Sequence, residues 1–416
     1  MSAVPTRLAR PAAPARPARS PQPAAAHRPG VVRRPAGIRP GTTGPVAARR
    51  PGTAVAPGRR APGATAAAVL IAAAASGISG PSLALPVAAH ALHVPTGSAA
   101  WLMTAYGLGL LLGTPVLSGT AGRRGPGALI RAGAALVALG AAIVLAAPSA
   151  LLPLAAGRAV EAAGAAGLTV AAFRIAGRDR TGRSTGLVAI GNAAGGTLGL
   201  FVGAGAAQLL GWRAALVMPL LALAVLPAAL RSAGRDDTAW AGATGGRFRD
   251  ALPLGLLRRA AFRRPALLML AIATVNFALV YGAPRRVAAL TGWAALPTGA
   301  VVAAVSLGGA LLSWQLVRFA PALGTGRVRL LLAAGSLAAA GAAALAPWPA
   351  VVLLGSGLSA LVTAGGQGVL TGAAVGGLAP ERRGGAIGLF NLAFPAGVAA
   401  GPVLAGFADQ TVQFLY

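Results

Sequence analysis

The chain has 416 residues, of which 56% are hydrophobic and only 10% are charged. Soluble domains carry about 25% charged residues, so the composition excludes a chain that faces water over most of its length. The net charge of +29 comes from 36 arginines against seven acids, and lysine is absent. The arginines lie between apolar segments, and no basic groove with interleaved aromatics appears. We therefore expect no nucleic-acid partner. The absence of cysteine excludes disulfides, thiolate metal sites and a cysteine nucleophile.

Residues 1–62 are rich in Pro, Ala and Arg, with twelve arginines, no acid and almost no large side chain to bury. Such a segment cannot offset the entropy of ordering, so we expect a disordered cytoplasmic tail. It is too long and too often interrupted by proline for a secretory signal. The segment could also be an upstream extension that results from a wrongly assigned start codon. The alternative to a solvated tail is a polybasic strip whose arginines contact anionic lipid, at about 1 kcal/mol each.

From residue 64 onward, apolar stretches of about 20 residues recur, which is the length that crosses the hydrocarbon core. Without the alternation of barrel strands, helices are the form that satisfies the backbone in lipid. The sequence therefore predicts an all-α polytopic membrane bundle with eleven spans, near residues 64–88, 99–119, 128–147, 150–174, 186–209, 213–230, 265–284, 296–317, 328–346, 349–374 and 385–407.

The arginines between these spans fall on alternate connections. Twenty lie on one side, and the opposite side has only Arg213, Arg285 and Arg286. Because arginine is retained on the cytoplasmic side of a membrane, this bias predicts a multi-pass protein of the cytoplasmic (cell) membrane with a cytoplasmic N-terminus.

The longest polar break after the tail is residues 232–262, which contains three aspartates and predicts a cytoplasmic linker. It divides the chain into an N-terminal six-helix half, 63–231, and a C-terminal half, 263–416, in which five spans are detected. Six plus six spans is a common transporter plan, so a twelfth span is expected. Either the chain ends early or a terminal helix was lost.

Two motifs in the first half carry a family resemblance. The run W-L-M-T-A-Y begins at Trp101, and S-G-T-A-G-R-R-G-P, residues 118–126, follows on the loop after the same span. They resemble the second helix and loop motif of the major facilitator superfamily, in particular its drug:proton antiporters. Arg123 and Gly125 match the motif, which implies a gating loop. Gly122 stands where the family has the aspartate that latches the cytoplasmic side.

Three further motifs extend the resemblance over roughly residues 64–408. R-A-V-E-A-A-G-A-A, residues 158–166, is similar to the family's fourth-helix motif, and L-A-P-E-R-R-G, 378–384, to its loop before the eleventh helix. Gly195, Gly199 and Gly203 match the antiporter motif of the fifth helix, with Leu200 in place of its proline. One glycine every fourth residue predicts a helix face that packs closely against a neighbouring helix.

Arg158 and Glu161 are the charges that the spans place inside the membrane. An intramembrane ionisable residue costs about 2.5–3.5 kcal/mol on insertion scales and suggests a function. At a spacing of three residues the two side chains can pair on one helix face. They are therefore the candidate proton-coupling site, with Glu161 alternately protonated and paired; the alternative is an ion pair that only allows the helix to lie in lipid.

Five polar side chains inside apolar spans are candidates for lining a substrate cavity: Tyr106, Asn276, Tyr281, Gln367 and Asn391. Each needs a hydrogen-bond partner there, and hydrogen bonds that simply join helices are the alternative. Three histidines with no cysteine and few acids predict no metal site. The absence of a phosphate-binding loop and of H-E-x-x-H predicts neither ATP-driven transport nor an enzyme, and no cofactor is expected.

These features together predict a secondary active transporter, a monomer in the bilayer, that exports a small lipophilic compound or drug in exchange for protons. Two alternatives stay open. One is a transporter of the same fold for a polar metabolite. The other is a degenerate membrane scaffold or sensor that transports nothing, which the substituted motif residues Gly122 and Leu200 would favour.

Overall fold

The computed structural model describes residues 63–177, 183–233 and 253–415, with side chains except at 120–124, 183, 380–381, 384 and 407–415. The predicted tail 1–62, and residues 234–252 of the predicted linker, lie outside the described residues. Within the described ranges every regular element is helical and no strand occurs, which confirms the predicted all-α fold class. All of these residues belong to one unit, Arg59–Tyr416.

Ten helices in the described ranges are long and apolar enough to cross a membrane, and an eleventh apolar helix is shorter. All eleven coincide with predicted spans, and we number them in chain order with the short one as the sixth. They are Ala64–Leu83, Thr96–Gly119, Gly125–Ala146, Leu151–Ala176, Ser184–Leu210, Met218–Ala233, Ala260–Thr291, Ala295–Leu323, Thr325–Leu345, Pro349–Val375 and Gly385–Gly406.

Several boundaries differ from the predictions. The third span begins at Gly125 rather than residue 128, and this glycine forms the kink between the second and third spans, with a φ of 75° that glycine adopts without strain. The first span ends at Leu83 rather than residue 88, and a separate short helix, Leu85–Ala91, follows. The seventh helix, Ala260–Thr291, extends beyond the predicted 265–284 at both ends.

The first span is not a continuous α-helix. Its α-helical part, Ala64–Ala75, gives way to the 3-10 segments Ser76–Ile78 and Gly80–Leu83. Pro81 has no N–H to donate to the carbonyl of Gly77, four residues earlier. The N–H of Ser82 donates to Ser79 (3.0 Å) instead of Ile78. The break therefore leaves the Gly77 and Ile78 carbonyls available to side chains.

The sixth span is interrupted in the same way. Helix Trp212–Leu216 is followed by the 3-10 turn Met218–Leu220 and helix Leu221–Ala233. Pro219 lacks an N–H, and the N–H of Leu220 donates to Val217 (3.0 Å). The Leu216 carbonyl is thus available as well.

The first span lies at the centre of the first six, where it packs against the fourth, fifth and sixth spans. The tenth span has the corresponding place among the last five, against the seventh, eighth and ninth. Contacts between the two groups join the fifth span to the eighth and the second to the eleventh. Phe277, Tyr281 and Val398 from the last five spans complete the apolar core of the first six.

Two of the three arginines on the sparsely charged side bind the carboxyl ends of helices. The Arg213 Nη1 donates to the carbonyls of Val144 (3.1 Å), Leu145 (2.8 Å) and Ala147 (2.9 Å), where the third span ends. Arg286 Nη2 donates to Ala346 (3.0 Å) at the end of the ninth span. A guanidinium at a helix carboxyl end satisfies carbonyls that have no partner within the helix.

Candidate functional site

Arg158 and Glu161 form an ion pair inside the fourth span. Arg158 Nη1 donates to Glu161 Oε2 at 2.7 Å, and both side chains are 0% exposed. The spacing of three residues places them on one face of the helix, as the sequence predicts. Taking two charges out of water is expensive, and their attraction compensates for it only when the remaining polar atoms are also hydrogen-bonded.

Arg158 has three further partners besides the carboxylate. Its Nη2 donates to the Gly77 carbonyl at 2.8 Å, and its Nη1 also donates to the Leu216 carbonyl. These are the carbonyls that the proline-linked breaks of the first and sixth spans leave available. The guanidinium carbon lies 4.1 Å from the centre of the Tyr106 ring, within the range of a cation–π contact. One arginine therefore joins the first, second, fourth and sixth spans.

The carboxylate of Glu161 is less completely bonded. Its Oε1 is buried and has no hydrogen-bond partner among the described residues, and the same holds for Arg158 Nε. Gly140 of the third span lies against the backbone of Glu161, since a Cβ built on Gly140 would be 2.3 Å from Glu161 N. The pair is thus enclosed on the side of the third span, and one carboxylate oxygen is available to carry a proton.

Tyr106 and Tyr281, predicted to line a cavity, lie in the core instead, each 1% exposed. The Tyr106 hydroxyl donates to Ala74 (3.1 Å) and the Tyr281 hydroxyl to Ile78 (2.8 Å). A buried phenol needs an acceptor, and the broken first span provides one for Tyr281. Both tyrosines hold the interrupted segment in place.

A cavity of about 640 Å³ lies between the first six spans and the last five. The other three predicted cavity residues, Asn276, Gln367 and Asn391, line it. Asn192 of the fifth span also lines it, as do hydroxyl side chains that the sequence does not single out: Ser79, Thr185, Thr197, Ser306, Ser356, Thr363 and Thr371. A volume of this size accommodates a drug-sized molecule.

The lining extends from the middle of the bundle to one end only. It includes Phe173 near the end of the fourth span, Thr185 at the start of the fifth and Thr371 near the end of the tenth. At the other end the fifth and eighth spans meet, since a Cβ built on Gly299 would lie 3.2 Å from both the Leu200 carbonyl and the Leu83 side chain. The cavity therefore extends toward the end of the bundle where the connecting loops carry most of the arginines.

A second cavity, of about 820 Å³, lies at the opposite end of the bundle. Small apolar side chains of the seventh, ninth and eleventh spans line it, together with Arg285 and Arg286. Arg285 Nε donates to the Tyr281 carbonyl at 3.0 Å. Among the described residues no group of three or more His, Asp or Glu side chains could hold a metal ion at either cavity.

The interrupted segment of the first span connects the ion pair to the central cavity. Gly77 binds Arg158, while the next two residues, Ile78 and Ser79, line the cavity. Ser79 Oγ donates to the Gly196 carbonyl (2.5 Å), which also belongs to the lining. Neither Arg158 nor Glu161 is part of the lining, so one backbone segment separates the buried charges from the cavity.

The glycines of the fifth span lie directly against the first span. Cβ atoms built on Gly195 and Gly203 would lie 2.0 Å from the Ala72 carbonyl oxygen and 2.1 Å from that of Gly80. For Gly199 the distance is 2.6 Å, to the Ser76 oxygen. Gly191, which the sequence argument leaves out, extends the row, at 2.4 Å from the Ala68 oxygen. The two helices thus touch backbone to backbone over about three turns.

The predicted gating loop falls at the joint between the second and third spans. Gly125 provides the positive φ there, and Pro126 begins the third span. The side chain of Arg123 lies outside the described part of the chain. Nearby, Arg174 of the fourth span donates from Nη2 to the Ser118 carbonyl at 3.3 Å.

Comparison with known proteins relates this architecture to a protein family and to solved structures. Residues 65–371 match the family model of the Major Facilitator Superfamily. Among solved structures, the chain is similar to a bacterial homolog of the human lysosomal transporter Spinster in an inward-facing and occupied conformation. The TM-score is 0.63 and the sequence identity 17%, and the alignment covers 83% of this chain and 80% of that chain. It is also similar to the nucleoside transporter NupG, with a TM-score of 0.62, 13% identity, and 83% and 90% covered.

No curated protein sequence matches this chain. The likeness to the two solved structures concerns the fold, since the identities are low. The family model covers most of the chain, and members of that family are membrane transporters of small molecules rather than enzymes. The chain belongs to the major facilitator superfamily.

Proposed function

We propose that this protein is a proton-coupled secondary transporter that exports a small lipophilic compound through the central cavity. Glu161 carries the proton, and Arg158 is its fixed counter-charge. The observation that supports this most directly is an ion pair enclosed in the fourth span and connected to the cavity lining through the residues Gly77–Ser79.

The contacts around Arg158 make protonation of Glu161 feasible. When the carboxylate becomes neutral, the guanidinium keeps the Gly77 and Leu216 carbonyls and the Tyr106 ring. These contacts compensate part of its charge, so the arginine is not left as an isolated buried ion. The proton therefore changes the charge of one partner without requiring the other to leave its position.

The interrupted first span is the element that would transmit this change. Protonation weakens the hold of Glu161 on Arg158, and the carbonyls of Gly77 and Leu216 then become its main acceptors. Any shift of Gly77 moves Ile78 and Ser79, which line the cavity. The close contact between the glycines of the fifth span and the first span carries the same movement to the wall formed by Asn192 and Thr197.

The arginine bias assigns the open end of the cavity to the cytoplasm, with the N-terminus on the same side. On this assignment the structure corresponds to an inward-open state, from which an exporter takes up its substrate. The Spinster homolog, whose fold this chain shares, was solved in an inward-facing conformation. The opposite end, where Leu83, Leu200 and Gly299 meet, would be the part that opens to release the substrate.

The experiment uses purified protein in liposomes with an imposed pH gradient and a panel of uncharged fluorescent compounds. Glu161→Gln should reduce gradient-driven transport at least tenfold and leave exchange at equal pH intact. Asp236→Asn makes an equivalent carboxyl-to-amide change in the predicted linker and should behave as the wild type. Gradient-driven transport by Glu161→Gln at the wild-type rate would refute the proton-carrying role.

A further inference from the structure

Among the residues that the structure describes, no charged side chain lines the central cavity. Twenty-eight residues of the described ranges form the lining, and their polar groups are amides, hydroxyls and backbone atoms. The nearest buried charges, Arg158 and Glu161, neutralise each other and lie behind the first span. A charged solute would enter without a counter-charge, which is costly in a partly dehydrated site.

Four amide side chains face this cavity from four different spans. Asn192 belongs to the fifth span, Asn276 to the seventh, Gln367 to the tenth and Asn391 to the eleventh. An amide presents both a hydrogen-bond donor and an acceptor, and so pairs with an amide- or imide-like edge of a solute. Because the four amides come from both groups of spans, a solute that binds them contacts both sides of the cavity.

The orientation of one amide is fixed by a neighbour. The Ser359 hydroxyl, which is buried, donates to Asn276 Oδ1 at 3.1 Å. The oxygen keeps one further lone pair, and both Nδ2 hydrogens of Asn276 remain for a solute. A solute at this position can therefore be bound through a hydrogen-bond acceptor such as a carbonyl oxygen.

Aromatic side chains form another part of the wall. Phe277 and Phe394 pack edge to face, with ring centres 5.0 Å apart and planes at 83°, and both line the cavity. Phe173 lines it near the open end. Aromatic faces favour stacking against a flat ring, which adds binding energy without any charge.

We infer that the substrates are uncharged, ring-bearing solutes that carry a carbonyl acceptor beside a hydrogen-bond donor. This inference rests on the proposed function in one respect, that the central cavity is the substrate site. It replaces lipophilicity as the criterion by the absence of charge, together with a donor and an acceptor that the cavity amides can bind, and so includes neutral polar rings. A permanently cationic compound, which a carboxylate-lined cavity would favour, falls outside the class.

The test measures equilibrium binding to the purified protein in detergent, without a gradient, so that it is independent of proton coupling. Two sets of probes keep the ring constant and vary the charge. The first set is benzamide, benzamidinium and benzoate; the second is uridine, 5′-amino-5′-deoxyuridine and uridine 5′-monophosphate. The neutral member of at least one set should bind at least tenfold more tightly than both charged members.

Variants connect this preference to the cavity. Asn276→Leu should weaken binding of the neutral probe about tenfold. Asn276→Asp should shift the preference toward the cationic member of the same set. Ser313→Ala is the matched control, since Ser313 lies outside the lining and donates to the Ala310 carbonyl of its own helix; it should bind as the wild type does.

Equal or tighter binding of a charged member in both sets would overturn the inference, and so would a failure of both neutral probes to bind. Neutral binding that Asn276→Leu leaves unchanged would also overturn it. Failure of the proposed function has a different signature, in which neutral probes bind with the expected dependence on Asn276 but no pH gradient drives their transport.

Discussion

Replacing Gly195 by alanine tests the contact between the first and fifth spans with the smallest possible change. The added Cβ would lie 2.0 Å from the Ala72 carbonyl oxygen. An ordinary carbon–oxygen contact is about 3.3 Å, so the two helix backbones would have to separate by roughly 1.3 Å. Overpacking of this kind costs about 1–3 kcal/mol.

Gly186 of the same span provides the matched control, because a Cβ built there meets nothing within 4 Å. Alanine is favoured over glycine in a helix by about 1 kcal/mol, so Gly186→Ala should be neutral or stabilising. Thermal unfolding of the two purified variants in one detergent should therefore shift in opposite directions from the wild type. A Gly195→Ala protein as stable as the Gly186→Ala protein would refute the backbone contact.

Three further predictions follow from the helix breaks and the arginines. Pro81→Ala restores an N–H that competes with Arg158 for the Gly77 carbonyl, so pH-driven transport should fall severalfold at near-normal folded yield; unchanged transport would contradict the role of the break. Arg213→Ala removes three hydrogen bonds to the end of the third span and should lower stability by about 1–3 kcal/mol, seen as a reduced melting temperature. Reporters fused after Arg213 and after Arg235 should lie on opposite sides of the membrane, and a shared compartment would overturn the topology.

The membrane helices were predictable because the thickness of the hydrocarbon core sets their length and composition. Each predicted span coincides with a helix of the structure, including the short Met218–Ala233. The kink at Gly125 was not predictable, since hydropathy gives the polar break and not the backbone angles. The extension of the seventh helix to Ala260 was missed because its first turn carries arginines.

The candidate site was partly predictable, because charged residues are conspicuous in an apolar span. Arg158 and Glu161 stand out in an apolar segment, and a spacing of three residues in a helix places them together. Tyr281 could not be assigned, because its acceptor is a carbonyl of the first span, 203 positions earlier in the chain. The available signal was proline: Pro81 and Pro219 mark the two places where a helix lacks a donor and a carbonyl becomes available to a side chain.

The double attachment of the interrupted first span has a thermodynamic consequence for the proposed transport cycle. A solute that moves Ile78 and Ser79 also acts on Gly77, and through Arg158 on Glu161, because these three consecutive residues join the two sites. Linkage then requires reciprocity: the factor by which a proton changes solute affinity equals the factor by which the solute changes proton affinity. The change in solute affinity on protonation and the change in proton affinity on solute binding, measured in two independent titrations, must therefore give the same coupling factor.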